Sequence, residues 1–215
     1  MLSIVVLISG SGSNLQAIID AIAAENLDAK IDLVLSNRPD AFGLQRAKQA
    51  AIHTEVINHQ DYDSRESFDA AMMAVIDRVA PDLIVLAGFM RIMTDGFVEH
   101  YAGKMINIHP ALLPAYKGLN THARALADGV SHHGASVHYV TPELDSGAVI
   151  AQGRVPVFPG DTVEQLQQRV HRIEHVIYPN VVTWFAQGRL SYKDHQAYLD
   201  GELLTVPVIF EQEAE

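Results

Sequence analysis

The sequence predicts an α/β fold, a doubly wound and mostly parallel sheet flanked by helices in a Rossmann-like layout. Three observations predict it. Apolar runs bounded by turn residues recur at Ser3–Ser9, Ile31–Ser36, Thr54–Asn58, Asp82–Gly88 and Met105–His109. Their hydrophobicity is near-continuous, which marks strands covered on both faces. Helical stripes separate them: Leu15, Ile18, Ile19 and Ile22 at one spacing, and Phe68, Met72, Val75 and Val79 at another. Strand alternating with helix is the pattern of a parallel sheet with crossover helices.

The first run breaks into Gly10-Ser11-Gly12-Ser13-Asn14 before the helical stripe begins. Gly10 is free to take φ > 0 at the strand end, and Gly12 lets backbone approach a ligand closely. Ser13 with Gln16 reads as a capping box, placing the helix start at Ser13 or Asn14. The free N–H groups there, with the positive end of the helix dipole, make an anion site. A dinucleotide, a single phosphate and a bare turn are the three readings. The dinucleotide pattern needs glycine at position 15, which is Leu15, and an acidic residue after the second strand, which instead ends in Ser36-Asn37-Arg38. A single phosphate fits best.

The fourth run, LIVLAGFM from Leu83 to Met90, stops at Arg91 and is far too short to span a bilayer. The fifth carries Asn107 and His109 in apolar company. Residues two apart on a strand share a face, so these two project together, while Ile106 and Ile108 face the other way. Pro110 ends the strand, putting the pair at its carboxyl edge, where open α/β sheets keep their sites. A buried amide needs a partner, so the pair reads either as a bonded core pair or as a site, and the site reading is preferred.

Beyond His109 the pattern changes. PALLPAYKG is a constrained loop, followed by a short helix near Thr121–Asp128 and strands at Ala135–Val140 and Ala148–Val157. Asp145 lies in the turn ELDSG between these strands and by itself reads as an ordinary turn aspartate. Asp161 with Glu164 reads as the capping box of a last helix whose stripe is Val163, Leu166, Val170, Ile173 and Ile177. Pro179 is expected to kink or restart that helix. The tail beyond Gly188 is polar, ends acidic at Glu211–Glu215, and is expected to fray.

The 215 residues carry a formal net charge of −11, with 48% hydrophobic and 19% charged residues. That is the composition of a core-bearing globular chain, and the charge opposes any extended grip on nucleic acid or an anionic membrane. There is no cysteine, so thiolate metal sites and cysteine nucleophiles are excluded and a reducing, cytoplasmic setting is expected. No secretion signal is expected at the N-terminus. His109, His122, His132, His133 and His138 invite a metal reading, but the spacing lacks a metal-ligand pattern and no metal is expected.

In order, ISGSGSNLQAI, SNRPDAFGLQRA, LAGFMRI, NIHPALLPAYKG, GASVHYVTPELDSG and RIEHVIYP closely resemble the folate-dependent phosphoribosylglycinamide formyltransferases. The resemblance covers about residues 2–190 and implies one formyltransferase domain over 1–215. Residues 1–104 would form a phosphate-binding half, 105–190 a catalytic and folate half, and 191–215 a peripheral tail. It implies transfer of a formyl group from 10-formyltetrahydrofolate, a co-substrate, to the glycyl amine of a ribonucleotide, in a monomer or weak homodimer.

The same resemblance assigns residues. Asn107, His109 and Asp145 would be catalytic. Gly12, Ser13 and Asn14 would bind the ribonucleotide phosphate, with His171, Arg172, Ile173 and Glu174 in a helix segment touching the ribonucleotide. Met90, Arg91, Ile92 and Met93, with Asn107 and the turn Thr141, Pro142, Glu143, Leu144 and Asp145, would line the folate pocket, and Arg65 would be a more distant folate contact. A hydrolase of formyl-folate and a non-catalytic sensor of a phosphorylated metabolite are the rival readings.

Overall fold

The computed structural model describes residues 1–212. Eight strands form one sheet. They are β1 (Leu2–Ile8), β2 (Ala29–Ser36), β3 (Thr54–Val56), β4 (Leu83–Leu86), β5 (Met105–His109), β6 (His132–Tyr139), β7 (Val149–Pro156) and β11 (Val208–Glu211), ordered β11-β7-β6-β5-β4-β1-β2-β3. The first five are mutually parallel, β6 is antiparallel to both β5 and β7, and β11 lies parallel to β7. The sequence therefore gives the doubly wound, mostly parallel sheet expected, with the reversal of direction confined to its second half.

Helices α1 (Ser13–Ala23), α2 (Gly43–Gln49), α3 (Arg65–Val79), α4 (Asp95–His100), α5 (Thr121–Ala127) and α6 (Val163–Ala186) flank the sheet. Side chains alternate along β1, so Ile4, Val6 and Ile8 join one apolar cluster with Leu15, Ile18, Ile177 and Val181, while Val5 and Leu7 join another with Phe68, Met72 and Phe97. Burial on both faces explains the near-continuous apolar runs. Strand order reverses at β1, whose neighbours are β4 and β2. The carboxyl ends of β1 and β4 thus flank the topological switch point, where doubly wound sheets open a crevice.

Five local expectations are corrected. Ser13 does not cap α1: the N-cap is Gly12, at φ 69° and with no side-chain cap bond, and Gln16 bonds Asp20 instead. The positive φ in this loop belongs to Gly12 and not to Gly10. A Cβ on Gly12 would sit 2.6 Å from Gly43 Cα, so packing of the loop on α2 dictates which glycine turns. The capping box of α6 is Thr162 with Gln165, because Asp161 is engaged by both guanidinium nitrogens of Arg169 at 2.7 and 3.0 Å.

The fourth concerns Pro179, at which α6 does not restart: one helix runs through it from Val163 to Ala186. Ile173, Ile177, Tyr178, Val181 and Val182, on both sides of it, are buried on the sheet, and Asn180 Nδ2 donates to the Val176 carbonyl at 2.8 Å. Burial of this face outweighs the lost N–H. The fifth concerns the polar tail, which is folded: β8 (Leu190–Lys193), β9 (Gln196–Leu199) and β10 (Glu202–Leu203) make a small antiparallel sheet, and β11 extends the main one. Of the acidic end, residues 213–215 lie outside the described residues.

Candidate active site

The crevice at the switch point holds a cavity of about 560 Å³. One wall is the loop Ser9–Asn14, another the ends of β4 and β5 with Gly88, Met90, Arg91, Ile108 and Pro110, and α6 contributes Gln167, His171 and Glu174. The first internal bond of α1 runs from Gln16 N–H to Gly12 O at 2.9 Å. The N–H groups of Ser13, Asn14 and Leu15 therefore have no helical acceptor, and no side chain caps them. The failed capping box is what leaves this helix end open to an anion.

Beside that loop, Asn14 Nδ2 donates to Glu174 Oε2 at 2.9 Å, while Asn14 Oδ1 is buried with no partner. Burial pushes the Glu174 carboxyl up to about 7, against the lowering effect of the Asn14 bond. A buried carboxyl that is half neutral near pH 7 tolerates a neighbouring anion far better than a full charge would. His171 and His122 also line the cavity; burial holds both imidazoles below their ordinary value, His122 at about 4. The other two residues of the helix segment do not reach it: Arg172 is exposed, and Ile173 packs against Gly153 of β7.

The second cluster sits where β5 ends. His109 Nδ1 lies 3.5 Å from Asp145 Oδ2, with both side chains 7% exposed. The other ring nitrogen, Nε2, faces the Tyr116 carbonyl at 2.9 Å. Asp145, at φ 48°, is fixed by Gly118 N–H donating to Oδ2 at 2.9 Å. Lys117 ties the two loops together, bonding Ser146 and reaching Glu143 at 3.4 Å. The turn aspartate thus has the partner that its sequence context could not supply.

His138, which the sequence marks only among the histidines weighed for a metal, joins this cluster. The β5–β6 register sets it opposite Asn107, whose Nδ2 lies 3.2 Å from His138 Nε2. Its Nδ1 faces the Tyr139 carbonyl at 2.8 Å, and burial disfavours its charged form. Neutral His138 with its proton on Nδ1 accepts from Asn107, which fixes the rotation of that amide. Other unforeseen cavity residues are Ser9, Asn37, Arg38 and His59. Asn37 and Arg38 follow the carboxyl end of β2, a position that could have marked them.

The segment assigned to folate is spread over this surface. Met90 is 71% and Ile92 59% exposed, Met93 is buried, and Arg91 lies over the Phe68 ring with its guanidinium carbon 5.6 Å from the centroid. Pro142, Glu143 and Leu144 are exposed beside Asp145, and Thr141 is half-buried. Arg65, exposed at the first turn of α3, lines no part of the cavity.

An uncapped helix end open to an anion and a buried imidazole–carboxylate pair lie at the carboxyl edge of one sheet, an arrangement suited to group transfer. The chain belongs to the formyl transferase family, whose model matches residues 2–182. Within that family its relatives include phosphoribosylglycinamide formyltransferases. That of Escherichia coli (strain K12) is 54% identical over 203 residues, covering 94% of this chain and 96% of the relative. A trifunctional purine biosynthetic protein of Homo sapiens is 48% identical over 188 residues, 87% of this chain but 19% of that longer protein. The phosphoribosylglycinamide formyltransferase of Coxiella burnetii, solved in complex with CHES, superposes with a TM-score of 0.93 at 55% identity, over 97% of this chain and 99% of the other.

Proposed function

We propose that this chain transfers the formyl group of 10-formyltetrahydrofolate to the glycyl amine of phosphoribosylglycinamide, a step of purine biosynthesis, and that the residues gathered above carry it out. The observation that carries the assignment of roles is the buried His109–Asp145 pair at the end of β5, whose neighbours Ile108 and Pro110 wall the same cavity as the open end of α1. Phosphate held by the N–H groups of Ser13 and Asn14 leaves the rest of the ribonucleotide to run past Glu174 toward β5. Asn14 Oδ1 and the Glu174 carboxyl are suited to receive ribose hydroxyls, which would satisfy the orphaned amide oxygen.

The neutral amine attacks the formyl carbon, giving a tetrahedral intermediate with an oxyanion. The Asn107 amide, held by His138, offers its second N–H to that oxygen, and one such donor is typically worth about 3–4 kcal/mol. Breaking the carbon–N10 bond requires a proton on N10. His109 supplies it from the Nε2 edge, where substrate would replace the Tyr116 carbonyl as acceptor. Asp145, through water, takes the proton lost by the amine. General acid–base help of this kind contributes ~10²–10⁴ in rate. The folate leaves as tetrahydrofolate, and no covalent bond to the enzyme forms.

The test is tetrahydrofolate release from 10-formyltetrahydrofolate by purified, chelator-treated protein, with and without the ribonucleotide. Release only with the ribonucleotide is the expected result. Release without it would make the protein a hydrolase, and loss of release on chelation would overturn the metal-free reading.

A further inference from the structure

The main chain from Phe89 to Met93 makes no backbone–backbone hydrogen bond among the described residues, although it lies between a core strand and a helix. Irregular backbone of this kind needs side-chain partners to hold one shape. It has two, one at each end, and both are buried. Ser9 Oγ accepts the Met90 N–H at 2.7 Å, and Asp69 Oδ2 accepts the Thr94 N–H at 2.6 Å. Ser9 is 4% and Asp69 2% exposed.

Each anchor is itself fixed. The Ser9 hydroxyl donates to Asn37 Oδ1 at 2.6 Å, so its proton is committed and a lone pair is left for Met90. Asn37 is buried and in contact with His59, whose Nδ1 lies 3.3 Å from Asn37 Nδ2. Asp69 is one of the buried residues of α3, with Phe68, Met72 and Ile76. Its Oδ1 has no partner. A carboxylate kept in apolar surroundings for one main-chain bond is expensive, which singles it out from the ordinary cap of α4, already supplied by Thr94 Oγ1 to Phe97 N–H at 3.3 Å.

We infer that Ser9 and Asp69 are positioning residues for the formyl donor: they clamp the two ends of Met90–Met93, so that exposed Met90 and Ile92 are presented to the folate in one fixed arrangement. This rests on the reading of that segment as folate-lining. Ser9 also directly follows β1 at the start of the glycine loop, so one hydroxyl links the backbones that face the two substrates.

The experiment uses the full chain and measures kcat and the KM of each substrate for Asp69→Ala, Asp69→Asn, Ser9→Ala, Ser9→Thr and Ile92→Ala. Loss of the acceptor for a buried N–H should raise the folate KM about tenfold in Asp69→Ala and Ser9→Ala. The ribonucleotide KM in Asp69→Ala should stay within about twofold, the substitution lying outside that site. Asp69→Asn and Ser9→Thr keep an acceptor and should restore the folate KM. A lowered melting temperature with both KM values unchanged would overturn the inference, as would an equal rise in both. If Asp69→Ala fails to fold, the Ser9 pair and Asp69→Asn decide it on the same criteria. An unchanged folate KM in Ile92→Ala would overturn the folate reading itself; a raised one, with Ser9→Ala and Asp69→Ala unchanged, would overturn the anchors alone.

Discussion

The side-chain amide of Asn14 donates to Glu174 Oε2 at 2.9 Å, joining the first turn of the first helix to the middle of the last helix across 160 residues of chain. The bond closes one wall of the cavity, and it occupies a carboxyl that burial has pushed up to about 7 from 4.5.

That shift makes stability pH-dependent. The folded state holds the Glu174 proton between pH 4.5 and about 7, where the unfolded chain has released it. The stabilisation is therefore full below 4.5 and lost as pH rises through 7, by about 3 kcal/mol in all. Glu174→Gln, which keeps an oxygen for Asn14, should match the wild type in melting temperature near pH 5 and exceed it near pH 8. Parallel melting curves for the two proteins across that range would refute the assignment.

Asp145→Asn keeps an acceptor for Gly118 N–H but cannot take a proton from the amine. Turnover should fall by ~10²–10⁴, with the ribonucleotide dissociation constant within about threefold of wild type. Steady-state kinetics and calorimetry on the same preparation check both halves.

The two loop glycines should behave oppositely. Gly12→Ala forces a left-handed residue and a Cβ 2.6 Å from Gly43 Cα, whereas a Cβ on Gly10 meets nothing within 4 Å. Gly12→Ala should lose about 1–3 kcal/mol of stability, and Gly10→Ala should stay within about 0.5 kcal/mol. Urea titrations of both variants measure this directly.

Inorganic phosphate should raise the melting temperature of the wild type in a saturable way, because only the folded chain presents the open helix end. Sulfate should act similarly, and the same concentration of chloride should not. A response unchanged in Gly12→Ala would place the anion elsewhere.

Much of this architecture is legible in the residues. Continuous apolar runs and helical stripes locate β1 to β5, α1 and α3, because burial on both sheet faces writes itself into local composition. Asn107 and His109 stand out for the converse reason, being polar where a strand should be apolar. Local rules misplace the caps of α1 and α6, since what decides them is non-local: Gly43 packed against Gly12, and Arg169 clasping Asp161. The folded tail escapes notice because β11 gains its partner, β7, only in the assembled sheet.

The sequence by itself determines the class of fold, the glycine loop at the head of α1 and the polar pair at the end of β5. Each follows from periodicity or from residue types out of place within a short stretch. Only the tertiary structure decides that Asp145 meets His109, that β-sheet register sets His138 against Asn107, and that Glu174 is buried beside the glycine loop with an elevated affinity for its proton. Register, burial and desolvation depend on segments far apart in the chain, and no local pattern encodes them.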